Sequence, residues 1–260
     1  MSSFYDYSSS SSNFEEEEKD GWAIAPEVEK DTKELDYSGQ MLTFLPPDLF
    51  SNFALTVLNL ANNKITWLPK EMEQLAVLEE LYLQNNELNR IGSSLEFTLP
   101  NLKVLRLSHN QLMYCPQKIG MLTKLRLLDL SNNAITEIPM SIQYLTSLET
   151  FNIENNNLTT IRPEIYHLEN LKELCAYNNK ISNLNGVVFP PRLERLDLGK
   201  NELTYISTFQ FAYLENLQYL QLSNNRICFV EEDVFLKHLH TLTELHLASN
   251  DLQQLPYSIG

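Results

Sequence analysis

The pattern L-x-x-L-x-L-x-x-N-x-L/I recurs along most of this 260-residue chain and constrains its fold more than any other feature. It is complete at residues 55–65, 78–88, 102–112 and 125–135. With single aliphatic or aromatic swaps it continues from Leu148, Leu171, Leu193, Leu217 and Leu242. Successive starts lie 23, 24, 23, 23, 23, 22, 24 and 25 residues apart. A unit of that length cannot bury its own apolar face, so neighbouring units must stack into a solenoid. A degenerate tenth unit precedes the nine, with Leu35, Tyr37 and Leu42 in frame and Gln40 in place of Asn.

The spacing sets the local structure. In L-x-L, alternate residues share one side of a short strand, so both Leu face the core and the residue between them faces outward. Stacked units give a parallel sheet of ten strands, a wall roughly 40 Å long at about 4.8 Å per strand. The recurring Asn, from Asn63 to Asn250, stands where the chain must turn inside the core. An amide side chain both donates and accepts there, which assigns these residues to scaffold. Pro46, Pro69, Pro116, Pro139 and Pro256 each follow that position by six residues and predict the first turn of a short helix or 3₁₀ turn. Later units carry Phe189, Phe211 and Phe235 instead, read as core of a differently shaped convex layer, with residues 187–191 irregular.

These nine matches resemble the leucine-rich-repeat proteins over residues 32–260. The resemblance implies an α/β solenoid, a horseshoe with a concave parallel sheet and short helical or irregular convex segments. The L-P-x-x-I/M-x-x-L units at 68–75 and 138–145 resemble the intracellular Ras-group repeats, found in adaptors that scaffold small GTPases, phosphatases or polarity complexes. The later Phe-containing units depart toward the repeat seen in many extracellular receptors. The role implied is a protein-binding scaffold.

Charge and cysteine usage narrow the partner and the compartment. The net charge is −15, and residues 1–36 hold 11 Asp/Glu against 3 Lys/Arg. An acidic chain without a basic stripe argues against nucleic acid or anionic membrane and suits a protein with a basic patch. Residues 1–18 lack the basic and apolar regions of a secretory signal, and no 18-residue apolar run is present. The three cysteines are far apart and read as reduced, with Cys115 and Cys228 as packed thiols and Cys175 outward, hence a cytoplasmic protein. Residues 1–31 read as an acidic, Ser-rich tail, with Ser12 and Glu15 spaced as in an acidophilic kinase site. Trp22 and Ile24 are candidates to cover the first repeat. The sequence stops partway through an outer segment, which suggests a longer protein.

No phosphate loop, H-E-x-x-H, C-x-x-C or G-x-S-x-G motif occurs, and neither a cofactor nor a metal site is expected. His238 and His240 lack a third ligand nearby and read as a surface turn. The expectation is a non-enzyme whose working surface is the concave wall. Reading the outward positions in columns places Arg106 between Tyr82 and Asp129, and Arg195 between Glu173 and Tyr219. Tyr and Arg dominate interface hot spots. Asn152, Tyr177, Asp197, Gln221 and His246 complete the candidate partner-binding set, beside the apolar Val57, Val104 and Leu127. Small residues in a third column, such as Ser108 and Gly199, are expected to leave room for a partner. Two other classes stay open: the regulatory repeat segment of a signalling enzyme whose catalytic domain follows Gly260, and a receptor ectodomain.

Overall fold

The structure, a computed structural model, describes residues 32–90, 99–237, 241–255 and 257. The tail 1–31, His238, His240 and Pro256 lie outside the described residues.

Each repeat contributes a three-residue strand to one parallel sheet. The first eight are β1 (Glu34–Asp36), β2 (Val57–Asn59), β3 (Glu80–Tyr82), β4 (Val104–Arg106), β5 (Leu127–Asp129), β6 (Thr150–Asn152), β7 (Glu173–Cys175) and β8 (Arg195–Asp197). The short β9 (Tyr205–Ile206) and β11 (Phe229–Val230) pair separately, while β10 (Tyr219–Gln221) and β12 (Glu244–His246) complete the ten-stranded sheet. Register is unbroken: Tyr82 pairs with Arg106, Arg106 with Asp129, and Arg195 with Tyr219. Equivalent sequence positions are therefore spatial neighbours, as the column reading assumed.

The middle residue of each inner strand, such as Leu81, Leu128, Phe151 and Leu196, is fully buried. Burying one such side chain stabilises by about 1.5–3 kcal/mol, so the core is a row of equal layers along the stack. Phe189 and Phe211 are fully buried and their rings meet at 5.7 Å, as expected for core residues; Phe235 is partly buried against the core.

Asn-Asn pairs recur because the two members do different work. The first, for example Asn62, Asn85, Asn132 and Asn155, has φ between 52° and 59°, a left-handed conformation that Asn tolerates better than most residues. The second clamps adjacent turns of the solenoid. Asn86 Oδ1 accepts from the Ile65 amide, and its Nδ2 donates to the carbonyls of Leu60 and Leu83. The same pattern persists to Asn250.

The convex side carries 3₁₀ helices at Pro47–Ser51, Lys70–Gln74, Gln117–Met121, Met140–Tyr144 and Pro163–His167. Pro46, Pro69, Pro116 and Pro139 sit one residue before these helices, with extended ψ, not inside the first turn as predicted. The ring fixes the approach to the helix and excludes an earlier start. The helices at Gln117–Met121 and Met140–Tyr144 pack so closely that a Cβ on Gly120 would collide with the Ser141 carbonyl oxygen. Residues 187–191 form no helix, as the shortest repeat predicted.

Candidate functional site

The strands place their outward side chains on one open face. At its second half, Arg195 lies with its guanidinium carbon 3.6 Å from the centre of the Tyr219 ring. Its Nε is 3.4 Å from Glu173 Oε1. On the other side of Tyr219 the His246 ring follows at 5.3 Å, with His246 Nε2 3.6 Å from Glu244 Oε2. Four adjacent strands thus present a fixed sequence of carboxylate, guanidinium, aromatic ring and imidazole. Arg195 keeps 42% of its side-chain surface, so the array is accessible.

The first predicted cluster is arranged differently. The Tyr82 hydroxyl donates to Glu80 Oε2 at 2.5 Å, a bond that raises the phenol's pKa, with burial adding to it. Arg106 reaches Asp129 only at 3.9 Å. Asp129 itself is buried and accepts from both the amide and the hydroxyl of Ser131, which leaves a partner little of it to touch.

That last bond belongs to a pattern. Asp36, Asn59, Asp129, Asn152, Asp197 and Gln221 each accept a hydrogen bond from the amide two residues on. These side chains close the turn at the end of each strand, a local bond that short polar residues favour. Six of the ten central-column residues therefore have a structural task. Tyr82, Arg106 and His246 stand outside that pattern, while the Cys175 sulfur accepts the corresponding bond from the Tyr177 amide. The small third-column residues Ala61, Ser108, Ser131, Gly199 and Ser223 are buried beneath the face and form its floor. A Cβ on Gly199 would come within 2.9 Å of Gln221 and 3.2 Å of Tyr177, so this glycine lets those side chains close over it.

Cys175 Sγ donates to Glu154 Oε2 at 3.3 Å. Burial, with Asp197 and Glu154 nearby, pushes its thiol up to about 12, which makes it a poor nucleophile. Burial likewise raises the Asp197 carboxyl. Cys228 is exposed, against the expectation of a packed thiol, because its position follows the turn on the outer edge. Among the described residues no three His, Cys, Asp or Glu side chains converge to hold a metal ion, and no helix is long and apolar enough to cross a membrane. A half-open depression of about 370 Å³ lies at residues 136–138 and 159–163, away from the sheet face. Arg162 there already bonds the Ile138 carbonyl at 3.1 Å and Glu137 at 3.4 Å.

Sequence reasoning missed a second column. Four residues past the turn position lie Phe44, Trp67, Tyr114, Tyr205 and Phe229, all exposed, and the last two stack at 5.6 Å with planes 5° apart. Reading that offset down the repeats would have found them.

The leucine-rich-repeat profile matches residues 32–88, 76–135, 100–158 and 191–252. The chain belongs to the leucine-rich-repeat family. It is 41% identical over 93 residues to podocan-like protein 1 of Mus musculus, covering 34% of this chain and 16% of that protein. It is 37% identical over 92 residues to leucine-rich repeat and calponin homology domain-containing protein 1 of Mus musculus, covering 35% of this chain and 13% of that protein. The matched segment is thus a small part of either relative. Among solved structures, a leucine-rich-repeat protein of Leptospira interrogans superposes with a TM-score of 0.80 at 32% identity, over 87% of this chain and 57% of the other. A chain of the octameric complex of latrophilin 3, Unc5D and the FLRT2 leucine-rich repeats superposes with a TM-score of 0.70 at 29% identity, over 84% and 65%.

Proposed function

We propose that this leucine-rich-repeat chain is a protein-binding module of an intracellular scaffold, without catalysis of its own, and that it engages its partner on the concave sheet face. The observation that carries the reading is the Arg195–Tyr219–His246 array. A guanidinium pinned over an aromatic ring on a rigid sheet is pre-organised, so little side-chain entropy is lost when a partner covers it. The three unpaired cysteines, none within a disulfide, support a reducing compartment.

The test is affinity capture from lysate with wild type and an Arg106→Glu, Arg195→Glu, Tyr219→Ala variant, each checked by thermal melting. Loss of captured proteins by a folded variant is the expected result. Equal retention of every partner refutes the concave face as the interface. Alkylation of thiols in intact cells tests the compartment: the expected finding is that Cys228 is reduced.

A further inference from the structure

We propose that the flank of the solenoid leading into the strands, a surface distinct from the concave face, docks an acidic segment of this same chain, residues 15–28. The residues on either side of each repeat's first inward Leu face outward on this flank, as Lys124 and Arg126 do around the buried Leu125. Bonds between repeats fix the alignment: Lys103 Nζ reaches Glu79 at 2.6 Å, Lys124 Nζ reaches Asn101 Oδ1 at 2.8 Å, and Lys172 Nζ reaches Glu149 at 2.8 Å. Glu79 and Glu149 are thereby held by Lys103 and Lys172. Lys124 has a neutral partner, and Arg126 makes no ion pair among the described residues, although Glu149 feels its charge. This stretch is cationic in a chain of net charge −15.

The occupant is singled out by order as well as by charge. Thr32 holds the sequence position of Leu55 in the next repeat. Asn52 Nδ2 donates to the Thr32 carbonyl at 2.8 Å, and Thr56 Oγ1 donates to that of Lys33 at 3.0 Å. The chain is thus pinned to the second repeat on this flank where the described residues begin. Onward from there the flank presents Phe53 and Val77, which keep 66% and 40% of their surface, and then Lys103, Lys124 and Arg126. Backward from Thr32 the sequence presents Val28, Ile24 and Trp22, and then five carboxylates against one Lys in residues 15–20. Apolar meets apolar, and acid meets base, in the same order. The lengths agree. With Trp22 at the level of Val77 and β3, Arg126 at β5 is two strand spacings away, roughly 10 Å. The four residues from Trp22 to Glu18 reach roughly 13 Å. Arg192 at β8, five spacings on, is roughly 24 Å away and out of reach. Burial of the apolar side chains supplies affinity, and the charges set the register.

Zero-length carbodiimide coupling of the whole chain tests this. The reagent joins a carboxylate to a lysine amine with net loss of water, and peptide mass spectrometry of the monomer maps the links. The proposal expects links from residues 15–20 to Lys103 and Lys124. Arg126→Glu should lower their yield roughly fivefold, and raised salt should act the same way. Val77→Ser should lower it as well, without changing any charge. Arg192→Glu makes an equal change of charge beyond the segment's reach and should leave the yield unchanged. All three substituted side chains are exposed, and thermal melting checks each fold. Links spread evenly over surface lysines such as Lys70 and Lys180 overturn the proposal. So do links found only between molecules, or equal effects of Arg126→Glu and Arg192→Glu.

Discussion

Replacing Asn156 by Leu tests the clamp that ties one repeat to the next. Asn156 is 7% exposed and sits in the middle of the stack. Its Oδ1 accepts from the Ile135 amide at 2.9 Å, and its Nδ2 donates to the carbonyls of Leu130, Ile153 and Glu154 at 3.0, 3.1 and 3.1 Å. The carbonyls have a second donor each: Asn133 for Leu130, Asn179 for Ile153, and the Asn132 amide for Glu154. The Ile135 amide has none. Leucine preserves the volume but strands that N–H, at about 1–3 kcal/mol, and weakens three carbonyls. The expected loss is about 3 kcal/mol, or a fall in Tm of roughly 6–12 °C for a chain of this length. Urea unfolding followed by circular dichroism measures it, and hydrogen exchange at the Ile135 amide locates it. Asn157→Ala, one residue on and with no side-chain bond, is the control. Asn156→Asp adds a second discriminator. Its carboxylate would face three carbonyl oxygens, so its folded pKa is raised, and stability returns as pH falls through the carboxylate range and the acid becomes a donor. The leucine variant should show no such recovery. A loss under about 1 kcal/mol for Asn156→Leu, or an equal loss for Asn157→Ala, refutes the clamp.

Three further outcomes are expected. Gly120→Val should destabilise by about 1–3 kcal/mol through collision with the Ser141 backbone, read as a lower urea midpoint. At neutral pH a maleimide should label Cys228 well before Cys115 or Cys175, whose thiols burial pushes up to about 12, with mass spectrometry assigning the sites. Asp197→Asn should raise the melting temperature at neutral pH. The Asp197 pKa is raised in the fold, chiefly by burial, so its ionised form destabilises above that pKa. The gain over wild type should fade as pH falls through the folded pKa and vanish below the unfolded value.

The skeleton was legible because it is periodic. Leu58, Leu81 and Leu105 recur at one interval, and each meets the same core environment, so one physical argument covers them all. The columns were legible for the same reason, since unbroken register turns sequence offsets into neighbours. Side-chain allegiance was not. Tyr82 stands beside Arg106 as expected, yet its hydroxyl bonds Glu80, two residues earlier on the same strand and face. The outward position of Asp129, Asn152 and Gln221 suggested binding, while their oxygens close a turn two residues ahead. That bond has a sequence signal: a short polar side chain two residues before a strand-end amide that lacks a ladder partner. The exposed aromatics from Phe44 to Phe229 were missed because the repeat was read only at its strand offsets.

Separating these allegiances changes what the free positions mean. Asparagine at 59 and 152 proves that the turn bond needs an oxygen and not a charge. Aspartate at 36, 129 and 197 makes the same bond and adds a carboxylate to a face already rich in them. At Asp129 the extra charge meets Arg106; at Asp36 and Asp197 it makes no ion pair among the described residues, although Arg195 and His246 both pull the Asp197 pKa down against its burial. Burial near Glu154 makes that charge unfavourable at 197, as the raised pKa records. A fold optimised for stability alone would place asparagine there. The carboxylate at 197 is thus a local cost to the fold, set chiefly by its burial, that asparagine would avoid while keeping the turn bond.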